Sequence, residues 1–145
     1  MKALIQRVSD AKVEVEGEVT GAIKQGLLVF LGFEKHDEKP QVDKMIKKLL
    51  AYRVFADEQE KMNLSVTDIK GEVLVVSQFT LAADTQSGTR AGFSTAKSPV
   101  LAEALYDYFL TQIQHIHPSV ASGVFGADMQ VSLTNDGPVT FLLEC

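Results

Sequence analysis

One short polar segment of this 145-residue chain has the residue types that acyl chemistry needs. Ser77-Gln78-Phe79-Thr80 follows directly on the apolar run Val73–Val76. Its hydroxyls, amide and backbone N–H groups can hold a carbonyl oxygen or orient a water, as an oxyanion site does. The alternative is a strand-end cap in which these side chains satisfy only local backbone groups.

Thr80 is a candidate nucleophile, but no base stands near it in the sequence to activate it. The three histidines, His36, His115 and His117, occur alone at the predicted ends of elements, so we expect surface or capping residues. We find no zinc-binding motif, phosphate-binding loop or nucleophile elbow. The sequence therefore predicts no metal and no cofactor.

A second segment combines strong turn residues with a proline. Asn135-Asp136-Gly137 separates two strand-like runs, and Pro138 follows where the return strand should donate hydrogen bonds. A Gly-Pro bond adopts the cis form at small cost, and it would then present two carbonyl oxygens suited to a cationic amine. Glycine lets a ligand or another backbone come close. The alternative is a plain hairpin turn.

The composition bounds the class of protein. The chain is 46% apolar and 23% charged, which is ordinary for a globular protein, and its length suits a single domain over residues 1–145. It has no apolar run long enough to span a bilayer and no secretory signal, so we expect a cytoplasmic protein. Cys145 is the only cysteine. The net charge of −5 argues against non-specific binding to nucleic acid.

The hydrophobic pattern predicts the elements that position these segments. The first eight residues read as a strand, residues 12–23 as a half-buried hairpin turning near Gly17, and residues 26–33 as a strand covered on both faces. Residues 72–82 are the most strand-like stretch, and two further strands are expected at 129–133 and 139–143. Residues 53–55 are expected to return to strand, and residues 56–71 to form an exposed loop.

Two segments have the period of a helix. Pro40 opens the first, and its apolar residues fall on one face at Val42, Met45, Ile46, Leu49 and Leu50. The second is capped by Ser98, begins with Pro99 and should stop at His117-Pro118. Its buried side is predicted to contain Leu101, Leu105, Tyr108 or Phe109, and Ile116. The order of elements favours a mixed α/β fold in which curled, barrel-like antiparallel and mixed sheets pack against two helices.

Two motifs together resemble the D-aminoacyl-tRNA deacylase family. They are "SQFTL" at residues 77–81 and "NDGPVT" at residues 135–140, and the opening "MKALIQRVSDAKVEV", the length and the final strand also match. Each motif is short, but the pair at this separation is specific. The resemblance implies a three-layer β/β/α fold, a homodimer, and hydrolysis of the ester that links a D-amino acid to the terminal ribose of tRNA.

The resemblance also implies roles for individual residues. Ser77, Gln78 and Thr80 would line the catalytic pocket, with Phe79 beside the terminal adenosine and Met129 in the pocket wall. Gly137-Pro138 would be cis and would enter the active site of the other subunit. There its carbonyls would hold the α-amine of the substrate and exclude an L side chain, so glycyl-tRNA is a predicted second substrate. Arg7 is expected to brace the Gly-Pro carbonyls, although an ordinary surface arginine is the alternative.

The mechanism has two versions within this family. Thr80 acts as nucleophile in one, whereas in the other the ribose 2′-hydroxyl of the substrate assists, and backbone N–H groups near Phe79 and Thr80 hold the carbonyl oxygen. We favour the second, because the sequence supplies no base near Thr80. Two other functions stay open at this point: an RNA-independent hydrolase of D-amino acid esters, and a tRNA-binding dimer without turnover.

Overall fold

A six-stranded mixed sheet forms the centre of the computed structural model, which describes residues 1–145. The strands in chain order are β1 (Lys2–Val15), β2 (Glu18–Ile23), β3 (Gly26–Gly32), β4 (Phe55–Ala56), β5 (Met62–Leu64), β6 (Glu72–Ser77), β7 (Val120–Ser122) and β8 (Gln130–Glu144). The helices are α1 (Lys39–Ala51) and α2 (Pro99–Ile116). The mixed α/β class predicted from the sequence is confirmed.

The sheet is nearly closed. Its hydrogen-bonded order is β2-β1-β3-β6-β7, with β8 pairing along the other edge of β1, and β4 and β5 form a separate two-stranded sheet. Strands β3 and β6 are parallel, as are β6 and β7, and the remaining pairs are antiparallel. The free edges of β2 and β7 lie close together, since Gly21 approaches the backbone of Ser122.

The curled sheet separates two apolar clusters. Along β3, Leu27, Val29 and Leu31 point to the larger cluster under the helices, whereas Leu28 points into the sheet's concave interior. This alternation follows from the two-residue period of a strand. The prediction that residues 26–33 are covered on both faces is therefore confirmed, and the sheet and helices form the β/β/α layers.

Helix α1 has the predicted buried face. The five apolar residues at helical spacing, Val42, Met45, Ile46, Leu49 and Leu50, are all buried. The helix is preceded by Glu38, whose backbone N–H donates a hydrogen bond to Gln41 Oε1 at 2.8 Å. The entry of the helix is thus fixed by a capping box with Gln41 at the third position.

Helix α2 has the predicted ends but a different buried face. It starts at Pro99 and stops before His117, but the Ser98 side chain makes no capping hydrogen bond, so that part of the prediction was wrong. Leu105 and Phe109 are buried as predicted, but Leu101 and Ile116 are 56% and 63% exposed. The buried residues are Ala102, Leu105, Tyr106, Phe109 and Ile113. The sequence offered apolar residues on more than one side of this helix, and packing selected the side that includes the smaller Ala102.

Three predicted strand boundaries were wrong. The first eight residues and the first arm of the hairpin form one continuous strand, β1, which turns at Glu16-Gly17. Strand β6 ends at Ser77, and Phe79–Ala82 form a 3₁₀ helix. Residues 56–71 hold the short strand β5 and buried side chains at Ser65 and Val66 instead of a fully exposed loop. Neither α-helix is both long enough and apolar enough to cross a membrane.

Candidate functional site

A cavity of about 610 Å³ opens where the parallel strands β3 and β6 end beside the start of α2. Most of its lining is apolar, as is usual for a site that binds small molecules. Four of the residues predicted from the sequence line it: Ser77, Gln78, Phe79 and Met129. The structure therefore brings one polar segment and Met129, which directly precedes the distant strand β8, into a single concave site.

The polar segment at the end of β6 is held in place through its backbone. The Gln78 N–H donates to the Leu31 carbonyl at 2.7 Å, which ties the end of β6 to β3. The chain then turns into the 3₁₀ helix, and the first N–H groups of a helix have no acceptor within it. The N–H groups of Phe79 and Thr80 are in that position. Phe79 lines the cavity, whereas Thr80 follows it in the chain and is not itself among the lining residues.

Thr80 is exposed and has an amide as its neighbour. The Gln78 Nε2 donates to Thr80 Oγ1 at 2.5 Å, and no histidine or carboxylate contacts that hydroxyl. A donor beside the hydroxyl does not remove its proton, so the surroundings do not activate Thr80 as a nucleophile.

Two aromatic rings flank the mouth of the cavity. Phe79 and Phe93 are 64% and 46% exposed, and their ring centroids lie 5.2 Å apart with a 40° angle between planes. Exposed aromatic rings at a cavity mouth are suited to contact with a planar base. Phe93 was missed in the sequence, although it is the one aromatic residue in the small, polar segment 83–97.

Two charged side chains, Lys97 and Asp128, line the cavity, and no motif in the sequence marks either of them. The Lys97 side chain is only 6% exposed, and its ammonium donates to the Asp37 carbonyl at 2.6 Å and the Lys35 carbonyl at 3.3 Å. Asp128 is exposed at the rim and is the only carboxylate in the lining. The lining contains no histidine or cysteine.

The wall formed by Phe125 and Met129 is supported from α2. The buried Tyr106 hydroxyl lies 3.1 Å from the Val75 carbonyl and 3.4 Å from the Gly123 carbonyl, and its ring packs against Phe125. Burial raises the pKa of Tyr106, so the phenol stays a neutral donor. A Cβ on Gly123 would lie 2.6 Å from the Met129 sulfur, so a side chain at this position would displace Met129 in the cavity wall.

Gly137-Pro138 lies in a bulge of β8 and not in a hairpin turn. Both halves of β8 pair with β1: Thr140 opposes Gln6, and Asn135 opposes Val8. The four residues from Asp136 to Val139 therefore face the single residue Arg7. The hairpin interpretation of this segment is wrong, because β8 resumes the same neighbour after the interruption instead of reversing. The Gly137-Pro138 bond is cis, as the resemblance implies.

Asn135 closes the neck of the bulge. Its Oδ1 accepts from the Val139 N–H at 3.1 Å, and its Nδ2 donates to Thr140 Oγ1 at 2.9 Å. Gly137 has a φ of +128°, which disfavours residues with a side chain. Gly137 and Pro138 are both exposed.

Arg7 supports the bulge, although not through the carbonyls that were predicted. Its Nε donates to the Asp136 carbonyl at 3.0 Å, and its Nη1 donates to the Val54 carbonyl at 2.7 Å. Its side chain is 16% exposed, so the alternative of an ordinary surface arginine does not fit. Arg7, Gly137 and Pro138 do not line the cavity of the same chain. Within one subunit the predicted residues form two separate groups.

The chain is similar to known proteins over almost its whole length. The family model described as "D-Tyr-tRNA(Tyr) deacylase" matches residues 4–144. A protein of Stutzerimonas stutzeri (strain A1501) named "D-aminoacyl-tRNA deacylase" is 62% identical over 144 residues, which are 99% of each chain.

Two solved structures share the fold. The one titled "c-Myc DNA Unwinding Element Binding Protein" is 42% identical, with a TM-score of 0.96 and coverage of 100% of this chain and 99% of the other. The one titled "Structural Analysis of a probable eukaryotic D-amino acid tRNA deacylase" has a TM-score of 0.88, covers 99% and 98% of the two chains, and is 15% identical. At that identity the second likeness concerns the fold alone.

Proposed function

This chain belongs to the D-Tyr-tRNA(Tyr) deacylase family, and we propose that it hydrolyses the ester of D-aminoacyl-tRNA to free D-amino acid and tRNA. It would thereby keep D-residues out of translation, in the cytoplasm where tRNA is charged. The observation that carries the proposal is the start of the 3₁₀ helix, where Phe79, which lines the cavity, and the following Thr80 offer N–H groups that no helix acceptor uses.

The reaction needs little beyond positioning and charge stabilisation. Water attacks the ester carbonyl carbon, the bond to the ribose oxygen breaks, and that oxygen takes up a proton. Two N–H groups aimed at the carbonyl oxygen stabilise the negative charge that develops on it, and loss of one such donor typically costs about 100- to 1000-fold in rate. Phe79 and Phe93 would pack against the terminal adenine and so bring the ester to these donors.

Activation of the attack is assigned to the substrate. The ribose 2′-hydroxyl next to the ester would take part in proton transfer, whereas Thr80 would not become acylated. The contact with Gln78 supports this assignment, because an amide donor at 2.5 Å is the neighbour of Thr80 where a nucleophile would need a base.

The complete site is proposed to form between two copies of the chain. Gly137 and Pro138 of the partner subunit would enter the cavity and direct carbonyl oxygens to the substrate's α-ammonium group. In support, the bulge is exposed, is fixed by Arg7 and Asn135, and lies outside the cavity of its own chain. A rigid exposed segment of this kind fits the role of an insertion into a second molecule.

Chirality would then be judged by main-chain atoms. With the ammonium and the ester carbonyl both fixed, the side chain of an L-residue would point into the Gly-Pro backbone, whereas that of a D-residue would point away from it. Glycine has no side chain, so glycyl-tRNA would also be hydrolysed.

Matched D- and L-Tyr-tRNA test the proposal directly. We expect single-turnover release of tyrosine from the D-substrate at least 100-fold faster than from the L-substrate, with glycyl-tRNA also cleaved. Comparable rates for both enantiomers would rule out the chiral filter.

D-Tyr methyl ester is a second substrate that separates the alternative functions. Efficient cleavage of this ester would favour an RNA-independent hydrolase. Binding of tRNA without any release of tyrosine would favour a dimer that lacks turnover. Sedimentation of the same sample measures the oligomeric state.

A further inference from the structure

The exposed side of helix α1 segregates positive charge in an otherwise acidic protein. The chain has a net charge of −5, but residues 39–51 contain four lysines and one aspartate. Lys44, Lys47 and Lys48 are exposed and lie on the side of α1 opposite its buried apolar stripe. Such local charge, rather than the net charge, determines where a polyanion can bind.

The carboxylates near the start of this helix each have a partner of their own. Asp43 accepts a hydrogen bond from the Tyr108 hydroxyl at 2.9 Å, and Glu38 lies 3.5 Å from the Lys97 ammonium. Further toward the sheet, Glu34 and Asp37 each lie 2.8 Å from the buried ammonium of Met1.

The nearest acidic residues of α2 point elsewhere. Glu103 and Asp107 are each two residues, or about 200° of helix rotation, from Leu105, which faces α1. The lysines themselves are available: Lys44 and Lys47 take part in none of the ion pairs or side-chain hydrogen bonds, and Lys48 donates only to the Glu144 carbonyl.

A groove lies between the cavity and the start of α1. It has a volume of about 360 Å³ and lies between the start of α1, at Glu38, Lys39 and Pro40, and the side of α2 that includes Leu101 and Leu105. Lys97 lines both the groove and the cavity. A chain end that enters the cavity can therefore continue along α1, which is about 20 Å long.

We infer that the lysine face of α1, formed by Lys44, Lys47 and Lys48, binds the phosphate backbone of the acceptor stem while the aminoacylated end occupies the cavity. This inference rests on the proposed function and adds the surface by which the RNA is held. Phosphate contacts of this type position the substrate without reading its sequence, which suits an enzyme that must act on many tRNAs.

The test compares two double charge reversals. Lys44→Glu/Lys47→Glu reverses two lysines of the proposed face, and Lys24→Glu/Lys70→Glu is the control with the same change of charge. Lys24 and Lys70 lie close to the starts of β3 and β6, whereas the cavity lies at the ends of these parallel strands. D-Tyr esterified to free adenosine serves as a second substrate that reaches the cavity but has no stem.

We expect the α1 variant to lose at least tenfold in kcat/KM on D-Tyr-tRNA through KM, and to hydrolyse D-Tyr-adenosine as the control does. For this variant, the slope of log kcat/KM against log salt concentration should be shallower by roughly one to two. Each lost phosphate contact removes roughly 0.7–0.9 from that slope. Equal activity of both variants on D-Tyr-tRNA would overturn the inference. So would a loss by the α1 variant on D-Tyr-adenosine as large as its loss on D-Tyr-tRNA.

If the unmodified protein cleaves neither substrate, the proposed function fails. In that case, weaker binding of uncharged tRNA by the α1 variant still supports the docking surface, and unchanged binding refutes it.

Discussion

Arg7 on β1 and Asp136 on β8 are joined by two interactions of one guanidinium group. Its Nε donates to the Asp136 carbonyl at 3.0 Å and lies 3.6 Å from the Asp136 carboxylate. The other arm, Nη1, donates to the Val54 carbonyl after α1. Because Asp136 directly precedes Gly137, this side chain fixes the direction in which the bulge projects from the sheet.

Replacement of Arg7 by Lys should loosen the bulge. A lysine ammonium lacks the planar fork that reaches two carbonyls at once, so at least one contact is lost. We expect the free energy of unfolding to fall by about 1.5–3 kcal/mol and kcat/KM on D-Tyr-tRNA to fall about tenfold or more. Denaturant titration and single-turnover assays measure the two effects. Arg53→Lys, at an exposed site, is the control. If Arg7→Lys had the same stability and activity as this control, Arg7 would have no role in fixing the bulge.

A methyl group at Gly137 should damage the site more than the fold. In Gly137→Ala the new Cβ would lie 2.8 Å from Val139 Cγ2 and 3.0 Å from Arg7 Nη2, at a φ of +128°. We expect a stability loss of about 1–3 kcal/mol and a fall of at least 100-fold in release of D-Tyr from tRNA.

The matched control for Gly137→Ala is Gly17→Ala in the β1–β2 turn. Its φ is +80°, but nothing lies within 4 Å of the new Cβ. It should therefore lose stability and retain activity. Loss of activity in both variants to the same extent would show that the effect is one of stability alone.

Removal of the Thr80 hydroxyl separates the two mechanisms. If the substrate 2′-hydroxyl assists, Thr80→Ala should keep kcat within about tenfold, because the backbone N–H groups remain; removal of a true nucleophile typically costs about a millionfold. The assay is single-turnover hydrolysis of D-Tyr-tRNA, with Thr80→Ser as the control. D-Tyr-tRNA whose terminal ribose lacks the 2′-hydroxyl should react far more slowly, and normal hydrolysis of it would rule out substrate assistance.

Tyr106→Phe should weaken the cavity wall and change the alkaline stability of the protein. The Gly123 carbonyl loses its hydroxyl partner, which typically costs about 1–2 kcal/mol, and KM for D-Tyr-tRNA should rise as Phe125 and Met129 shift.

The dependence on pH identifies the Tyr106 hydroxyl as the cause. An unfolded tyrosine ionises near its ordinary pKa of about 10, whereas burial raises the pKa of Tyr106 in the fold. The stability that the neutral phenol contributes is complete below about pH 10 and is lost as the pH rises toward the folded pKa. Thermal denaturation between roughly pH 9 and pH 11 should therefore show a steeper loss for the unmodified protein than for Tyr106→Phe. Parallel curves would contradict this account.

The elements that depend on local pattern could be read from the sequence. Helix α1 shows its buried face in the spacing of five apolar residues, and the turn at Gly17 follows from clean alternation on both sides of it. Helix α2 shows the limit of such patterns. It has apolar residues on several sides, and its buried face was decided by what β6 and β7 present to it, including the carbonyls that the Tyr106 hydroxyl contacts.

The sequence by itself determined which residues have chemistry available, because hydroxyls, an amide and a Gly-Pro pair are properties of the residues. Only the tertiary structure decided their arrangement. It placed Ser77, Gln78, Phe79 and Met129 around one cavity and kept Gly137-Pro138 outside it, in a bulge opposite Arg7. Local turn preference could not distinguish that bulge from a hairpin, because the difference lies in which strand the chain pairs with after the turn. That pairing is set by β1, more than a hundred residues earlier in the chain.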